Sequence, residues 1–436
     1  MTATFDPDQD ESAQAEPGRV LTLDIGPPAH GGHCVARWEG RVIFVRHAIA
    51  GERARVRITD TSHKSYWRGD AVEILTAAPE RVESPWPAAG PGGIGGAELA
   101  HMTLSAQRRW KTTVLREQFT RLAEIETSCE IEAIPGDDET AGMGWRTRIS
   151  LIADEHGRVG MRKHHSHEIV PLTDMPLATA ALQDLLGAER VFSFPWRPGT
   201  ELHLVDPSGG DALLFAGGKP WRRGRPDRRS IGRRVREVVR VGDDEWHYRV
   251  NAMGFWQIHR CAPAVLVGAV LAELRTLGDL AGLNVLDLYS GAGLFTLPLA
   301  QAVTSRGSVI AVESGAEAVK DARRNLAAHE QATLEHDKVD RSFRRGALAS
   351  YERMDAVVLD PPRTGAGREV VDSIANLQPQ AVIYVACDPA ALARDVKYFA
   401  QHGYQLQRLR SFDLFPATHH MESVALLTPI NSSPAP

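Results

Sequence analysis

Three residues able to do covalent and proton-transfer chemistry stand near the end of the chain: Cys387 in AVIYVACDP, Asp360 in DAVVLDPPR and Glu422 in FPATHHMESVALL. A thiolate is a nucleophile, and a carboxyl in the right surroundings is a general acid or base. Cys387 follows an apolar run and precedes Asp388-Pro389, a start signal for a helix. A thiol at a helix N-terminus is expected to have a lowered pKa. Inert burial is the commoner fate of a lone cysteine, and position alone leaves both readings open. The two prolines after Asp360 forbid a regular helical start and fix the loop. Glu422 opens an apolar run after His419 and His420, either as a solvated strand end or as a general base.

A second group could hold a cofactor. Gly291 and Gly293 sit in NVLDLYSGAGLF, where a strand runs through a glycine turn into a helix and the backbone can approach a ligand closely. Glu313 ends the next apolar run, a position whose carboxylate typically accepts ribose hydroxyls. The third glycine of G-x-G-x-x-G is replaced by Thr296, which favours S-adenosylmethionine over a dinucleotide. A turn kept only for packing is the plainer alternative.

These residues need a scaffold that brings strand ends together. Apolar runs beginning at Asn284, Ser308, Asp355 and Ala381 alternate with helical stretches at 296–304, 315–328, 367–377 and 390–402. That order implies a parallel, doubly wound sheet with its ligands at the carboxyl ends of the strands, where Ser290, Glu313, Asp360 and Cys387 lie. Upstream, VLTLDIG, HCVARWEG, RVIFVRHAI, ERARVRITDT and GDAVEIL alternate apolar and polar residues and predict a small β-barrel. SPWPAAGPGGIGG marks a boundary. The expected division is a disordered tail at 1–17, a barrel at 18–80, a middle α+β domain with basic surface at 81–250, and an α/β Rossmann-like domain at 251–436.

The net charge of -5 excludes a globally basic nucleic-acid binder, but nine arginines against two acids lie between Arg222 and Arg240, beside Trp221. Arg146, Arg148, Arg158, Arg162, Lys163, His164, His165 and His167 form a second basic stretch. Such clusters either grip phosphates or are solvated faces. Four cysteines without a C-x-x-C pair argue against a disulfide framework or zinc ribbon and for a reducing cytoplasm. No apolar run is long enough for a membrane span, and no metal site is expected.

ACDPAALARDV (386–396), DPPR, FPATHHMESVALL and GFWQIH (254–259) together resemble the signatures of the RNA 5-methyluridine methyltransferases. The resemblance spans about Met253 to Leu427, and the N-terminal strands resemble the OB-like TRAM barrel fused to many members. It implies a class I methyltransferase domain that uses S-adenosylmethionine to methylate C5 of uridine. Position by position, it implies that Cys387 adds to C6, Glu422 removes the C5 proton, and Asp360 meets the uracil ring near the donor methyl. Gln257, Tyr289 and Glu313 match positions that hold the cofactor. The Arg363 of DPPR stands where amino-group methyltransferases carry an aromatic residue, which disfavours amino methylation. A flipped uridine needs aromatic support, for which Phe255 and Trp256 are candidates; packing beneath the cofactor is the other reading of each. Arg222, Arg223 and Arg225 are expected to contact RNA, with ribosomal RNA favoured over transfer RNA and no obligate protein partner. Rival readings are a cytidine-C5 enzyme and an RNA-binding or chaperone protein with an inactive domain. Several members hold an iron–sulfur cluster, but the matching stretch here lacks cysteine and Met175 takes the later position, so none is expected. Ser290 replaces a frequent Cys, and Leu294 a frequent Asn.

Overall fold

The computed structural model describes residues 16–163, 166–227 and 233–430. The tail expected at 1–17 lies outside these apart from Glu16 and Pro17, as do His164, His165, Arg228 and Arg229 of the basic stretches. Strands β1 (Val20–Ala29), β2 (His33–Trp38), β3 (Arg41–Arg46), β4 (Arg53–Asp60) and β5 (Tyr66–Thr76) close into a barrel, in the order β1-β2-β3-β5-β4. Successive strand side chains face opposite ways. In β1, Leu21, Leu23 and Ile25 therefore fill the barrel while Thr22 and Asp24 meet solvent.

The chain continues through α1 (Leu104–Gln118) and the short β6 (Ile131–Glu132). It then builds a seven-stranded antiparallel sheet from β7 (Arg148–Ala153), β8 (Val159–Arg162), β9 (Ile169–Pro171), β10 (Glu201–Val205), β11 (Leu213–Ala216), β12 (Lys219–Arg222) and β13 (Arg225–Pro226). Helix α2 (Ala180–Ala188) covers it through Leu182 and Leu186. A hairpin of β14 (Arg234–Val241) and β15 (Asp244–Asn251) leads into α3 (Ala262–Leu274).

The last domain alternates β16 (Asn284–Leu288), α4 (Thr296–Val303), β17 (Ser308–Glu313), α5 (Ala316–Asn325), β18 (Ala332–His336), α6 (Val339–Arg345), β19 (Ala356–Leu359), α7 (Arg368–Asn376), β20 (Ala381–Ala386) and α8 (Pro389–Gln401). It ends with β21 (Tyr404–Phe412) and β22 (Glu422–Pro429). The sheet order is β18-β17-β16-β19-β20-β22-β21-β6. The five strands from β18 to β20 are parallel. Both faces of the central strands are covered, which is why they read as unbroken apolar runs. Val285, Val358 and Ile383 face α3 and α4, whereas Leu286, Val357 and Tyr384 face α7 and α8.

Packing distributes the block expected at 81–250 over more than one core. β6 pairs with β21, so the segment containing it extends the last domain's sheet. The β14–β15 hairpin buries Val235, Val239, Trp246, Tyr248 and Val250 in one core with α3 and α4. Periodicity shows that a face is apolar, but not which partner will cover it.

The arginine cluster is divided for the same reason. Arg222, Arg223 and Arg225 are exposed where β12 turns into β13. Arg234, on the hairpin, donates from Nε to Asp321 Oδ1 at 2.5 Å, and Arg240 donates to Glu245 at 2.5 Å. In the second stretch Arg148 is buried against Glu237 at 3.0 Å and Arg158 pairs with Asp154 at 2.9 Å, so these two are not a free phosphate-binding face. Among the described residues no helix is long and apolar enough to cross a membrane.

Candidate active site

The strand order reverses between β16 and β19, and a crevice opens there at the carboxyl ends of the strands. It holds a cleft of about 890 Å³ lined by Tyr289, Gly291, Glu313, Asp360, Cys387 and Glu422, among others. All but Glu422 follow or end parallel strands. Glu422 arrives differently: β22 runs antiparallel to β20, placing its beginning where β20 finishes, with Ser423 opposite Ala386.

The glycine turn is left-handed at Tyr289 (φ 62), Gly291 (φ 57) and Gly293 (φ 91). A bulky residue there is uncommon and marks a backbone fixed by its surroundings. A Cβ added at Gly291 would meet nothing within 4 Å, so open space lies over the turn. Glu313 accepts from the Gly291 amide at 2.9 Å through Oε2 and from the Gly315 amide through Oε1, fixing the acid at the rim. Beneath it, Thr296 donates to Asp287 Oδ2 at 2.5 Å, while Asp287 Oδ1 has no partner among the described residues. Burial pushes the Asp287 carboxyl up to about 7 against the Thr296 hydrogen bond, with Asp360 and Glu313 adding to the rise.

The loop bearing Gln257 and Phe255 is held by Arg148. Its guanidinium donates to the carbonyls of Ala252 at 3.0 Å and Gly254 at 3.1 Å while pairing with Glu237. Trp256 turns inward and packs on Tyr248 at 5.2 Å; Phe255 is 79% exposed at the cleft. The two aromatic residues thus separate into a core side chain and a free ring. Leu294 is buried, and its carbonyl rather than its side chain accepts a hydrogen bond, from Tyr248 at 2.9 Å.

Cys387 stands one residue before the cap of α8. Asp388 is that cap, accepting from Ala391 N at 2.8 Å. The lowered thiol pKa expected from the helix terminus is not found. Burial pushes the Cys387 thiol up to about 12, and Glu422 and Asp360 add to it while Arg363 opposes. Burial likewise raises Asp360 to about 7. It lifts Glu422 well above the usual carboxyl range, aided by Asp360 and opposed by Arg363. The pocket therefore gathers a thiol and two carboxyls that all favour their protonated forms, with the guanidiniums of Arg363 and Arg146 on its lining.

Several supports have no local motif. Lys111 on α1 is buried and donates to Asp413 Oδ1 at 2.5 Å and the Phe415 carbonyl at 3.0 Å; Gln107 accepts from Ala417 N at 2.8 Å. Together they set the loop that delivers Glu422. The available signal was polar Gln107 and Lys111 inside the helical stripe Trp110, Val114, Leu115. Asp395 Oδ2 accepts from Ala366 N at 2.8 Å, Gly367 N at 3.1 Å and Tyr384 OH at 2.7 Å, tying the loop after Asp360 to α8. An iron–sulfur cluster does not fit: Trp86, Ile94, Ala97 and Met175 pack in one apolar core, and they supply no thiolate.

Comparison with known proteins gives a tRNA (Uracil-5-)-methyltransferase family match over residues 230–430 and a TRAM domain match over residues 14–72. A relative from Streptomyces avermitilis described as an RNA methyltransferase is 41% identical, covering 94% of this chain and 99% of its own. The 23S rRNA (uracil(1939)-C(5))-methyltransferase RlmD of Methylococcus capsulatus is 31% identical, covering 94% of this chain and 97% of its own. In fold, the chain is similar to Pyrococcus abyssi tRNA (uracil-54, C5)-methyltransferase, solved with S-adenosyl-L-homocysteine. That similarity has a TM-score of 0.64 and 22% identity, and covers 94% of this chain and 100% of that one.

Proposed function

Since the chain belongs to the RNA uracil-C5 methyltransferase family, we propose that it methylates C5 of a ribosomal RNA uridine through a transient bond between Cys387 Sγ and C6. The observation that carries this reading is the convergence of Cys387, Asp360 and Glu422 in one cleft with Gly291 and Glu313. Bound S-adenosylmethionine supplies the methyl carbon and a positive sulfonium. Glu313, already aimed across the turn by the Gly291 and Gly315 amides, is suited to ribose hydroxyls, with Tyr289 and Gln257 on the cleft wall.

C5 of uracil is a weak nucleophile. Cys387 Sγ bonds to C6 as its proton is released to solvent, which breaks the C5–C6 double bond and moves its electron pair onto C5 and the O4 carbonyl. Once C5 carries the methyl, Glu422 takes the C5 proton. The electron pair left behind restores the double bond and expels the thiolate. Glu422 must first give up its own proton, and burial makes the resulting carboxylate a stronger base for that step. Arg363 offsets the negative charge that the thiolate brings. Phe255, exposed at the rim, offers a face for a base drawn out of its stack. The 31% identity to the 23S rRNA relative supports a ribosomal target.

RNA containing 5-fluorouridine tests the chemistry, because fluorine at C5 cannot leave as a proton. The protein with S-adenosylmethionine is expected to form a denaturation-stable adduct that is lost in Cys387→Ala. An undiminished adduct in that variant would reject the nucleophile assignment. Mapping 5-methyluridine in ribosomal and transfer RNA from cells with and without the gene checks the target.

A further inference from the structure

The barrel does more than lie beside the transferase domain. Its β1–β2 turn reaches the loops that carry both reacting side chains. His30 Nε2 meets Asp388 Oδ2 at 3.0 Å, while the other oxygen of that carboxylate caps α8 at Ala391 N. Asp388 follows Cys387 directly, so the barrel holds the residue next to the nucleophile. Two residues on, Gly32 adopts φ +82, and a Cβ there would meet His419 Nδ1 at 3.1 Å and Glu98 Cγ at 3.3 Å. His419 lies three residues before Glu422, and both its backbone amide and Nδ1 bond Glu98. One short turn thus touches the nucleophile loop and the base loop, and it needs glycine's freedom to do so.

We propose that His30 is a positioning residue for the methyl transfer, which holds the Cys387 loop in register with the Glu422 loop through Asp388. The proposal rests on the reading of Cys387 as nucleophile. A carboxylate with one oxygen on a helix cap and the other on an imidazole has little freedom to rotate. Displacing a reacting atom by about 1 Å can cost roughly 100-fold in rate. The barrel then serves catalysis as well as whatever grip it has on RNA: full alignment of the two loops depends on the barrel being docked.

The test compares full-length wild type, His30→Ala, His30→Gln and Asp388→Asn on unmodified ribosomal RNA transcripts, measuring kcat at saturating RNA and RNA affinity by filter binding. His30→Ala is expected to lower kcat roughly 10- to 100-fold while RNA affinity stays within about twofold of wild type. His30→Gln, which can still donate to Asp388, is expected to recover most of the rate. Asp388→Asn gives a second reading, since it can keep the cap oxygen while losing the anionic partner of His30; a fall in kcat is expected there too. Unchanged kcat in His30→Ala, or an effect confined to KM, would overturn the proposal and make His30 at most an RNA-binding residue. Failure of the underlying reading looks different: Cys387→Ala would then methylate at the wild-type rate, whatever the His30 variants do.

Discussion

Two pairs of enclosed acids, one in the barrel and one in the crevice, have opposite surroundings. In the barrel, Asp70 receives Arg46 through two hydrogen bonds, at 2.9 and 3.1 Å, and Glu52 receives Arg81 at 2.5 and 2.6 Å. Burial pushes Asp70 upward, but the Arg46 guanidinium holds its carboxyl below the usual range. In the crevice, Asp360 and Glu422 have no such ion pair among the described residues, and both are raised. Matched charges tie a structure together, whereas a buried acid left without its counter-ion is poised to exchange a proton. The same residue type therefore reads as scaffold or as chemistry according to what faces it.

The contrast predicts where substitutions will act. Glu422→Gln is expected to slow turnover by roughly 10²- to 10⁴-fold, the contribution of a positioned base. The C6 adduct should then accumulate on ordinary uridine RNA, visible as a shifted band after denaturation. Arg81→Met strands a buried carboxylate and should destabilise the chain by roughly 3–5 kcal/mol, read from urea unfolding. Asp360→Asn should do the reverse. A carboxyl whose pKa rises on folding from 3.8 to about 7 binds its proton more tightly in the folded chain. Its contribution to stability is complete below pH 3.8 and is lost as pH rises through about 7. Removing it should therefore flatten the fall in Tm across that window; an equally steep fall would mean that Asp360 is paired after all.

The arginines offer the mirror image and the smallest effect. Arg234 is tied to Asp321, while Arg222, Arg223 and Arg225 are exposed. Reversing the exposed three should reduce the salt dependence of RNA binding, by roughly 0.7 to 0.9 in log–log slope for each phosphate they neutralise. An unchanged slope would leave them as a solvated face.

Much of the fold was legible because its signals are local. Alternation in VLTLDI announces a strand with one wet face, and apolar runs such as AVIYVA announce strands with none. The candidate site was legible where unusual residues fall at strand ends, at Asp360 and Cys387. It was illegible where support comes from far along the chain. Lys111 reaches Asp413 and His30 reaches Asp388 across intervals no window of sequence spans.

By itself the sequence determined which segments are strands and helices, where the glycine turn falls and which residues have reactive side chains. These follow from nearest-neighbour sterics and from the period of apolar residues. Only the tertiary structure decided that the β14–β15 hairpin belongs to the transferase core, that Arg148 is a buried clamp and that the Cys387 thiol is raised rather than lowered. Pairing and pKa depend on desolvation and on charges brought together by folding, and neither quantity exists until distant segments meet.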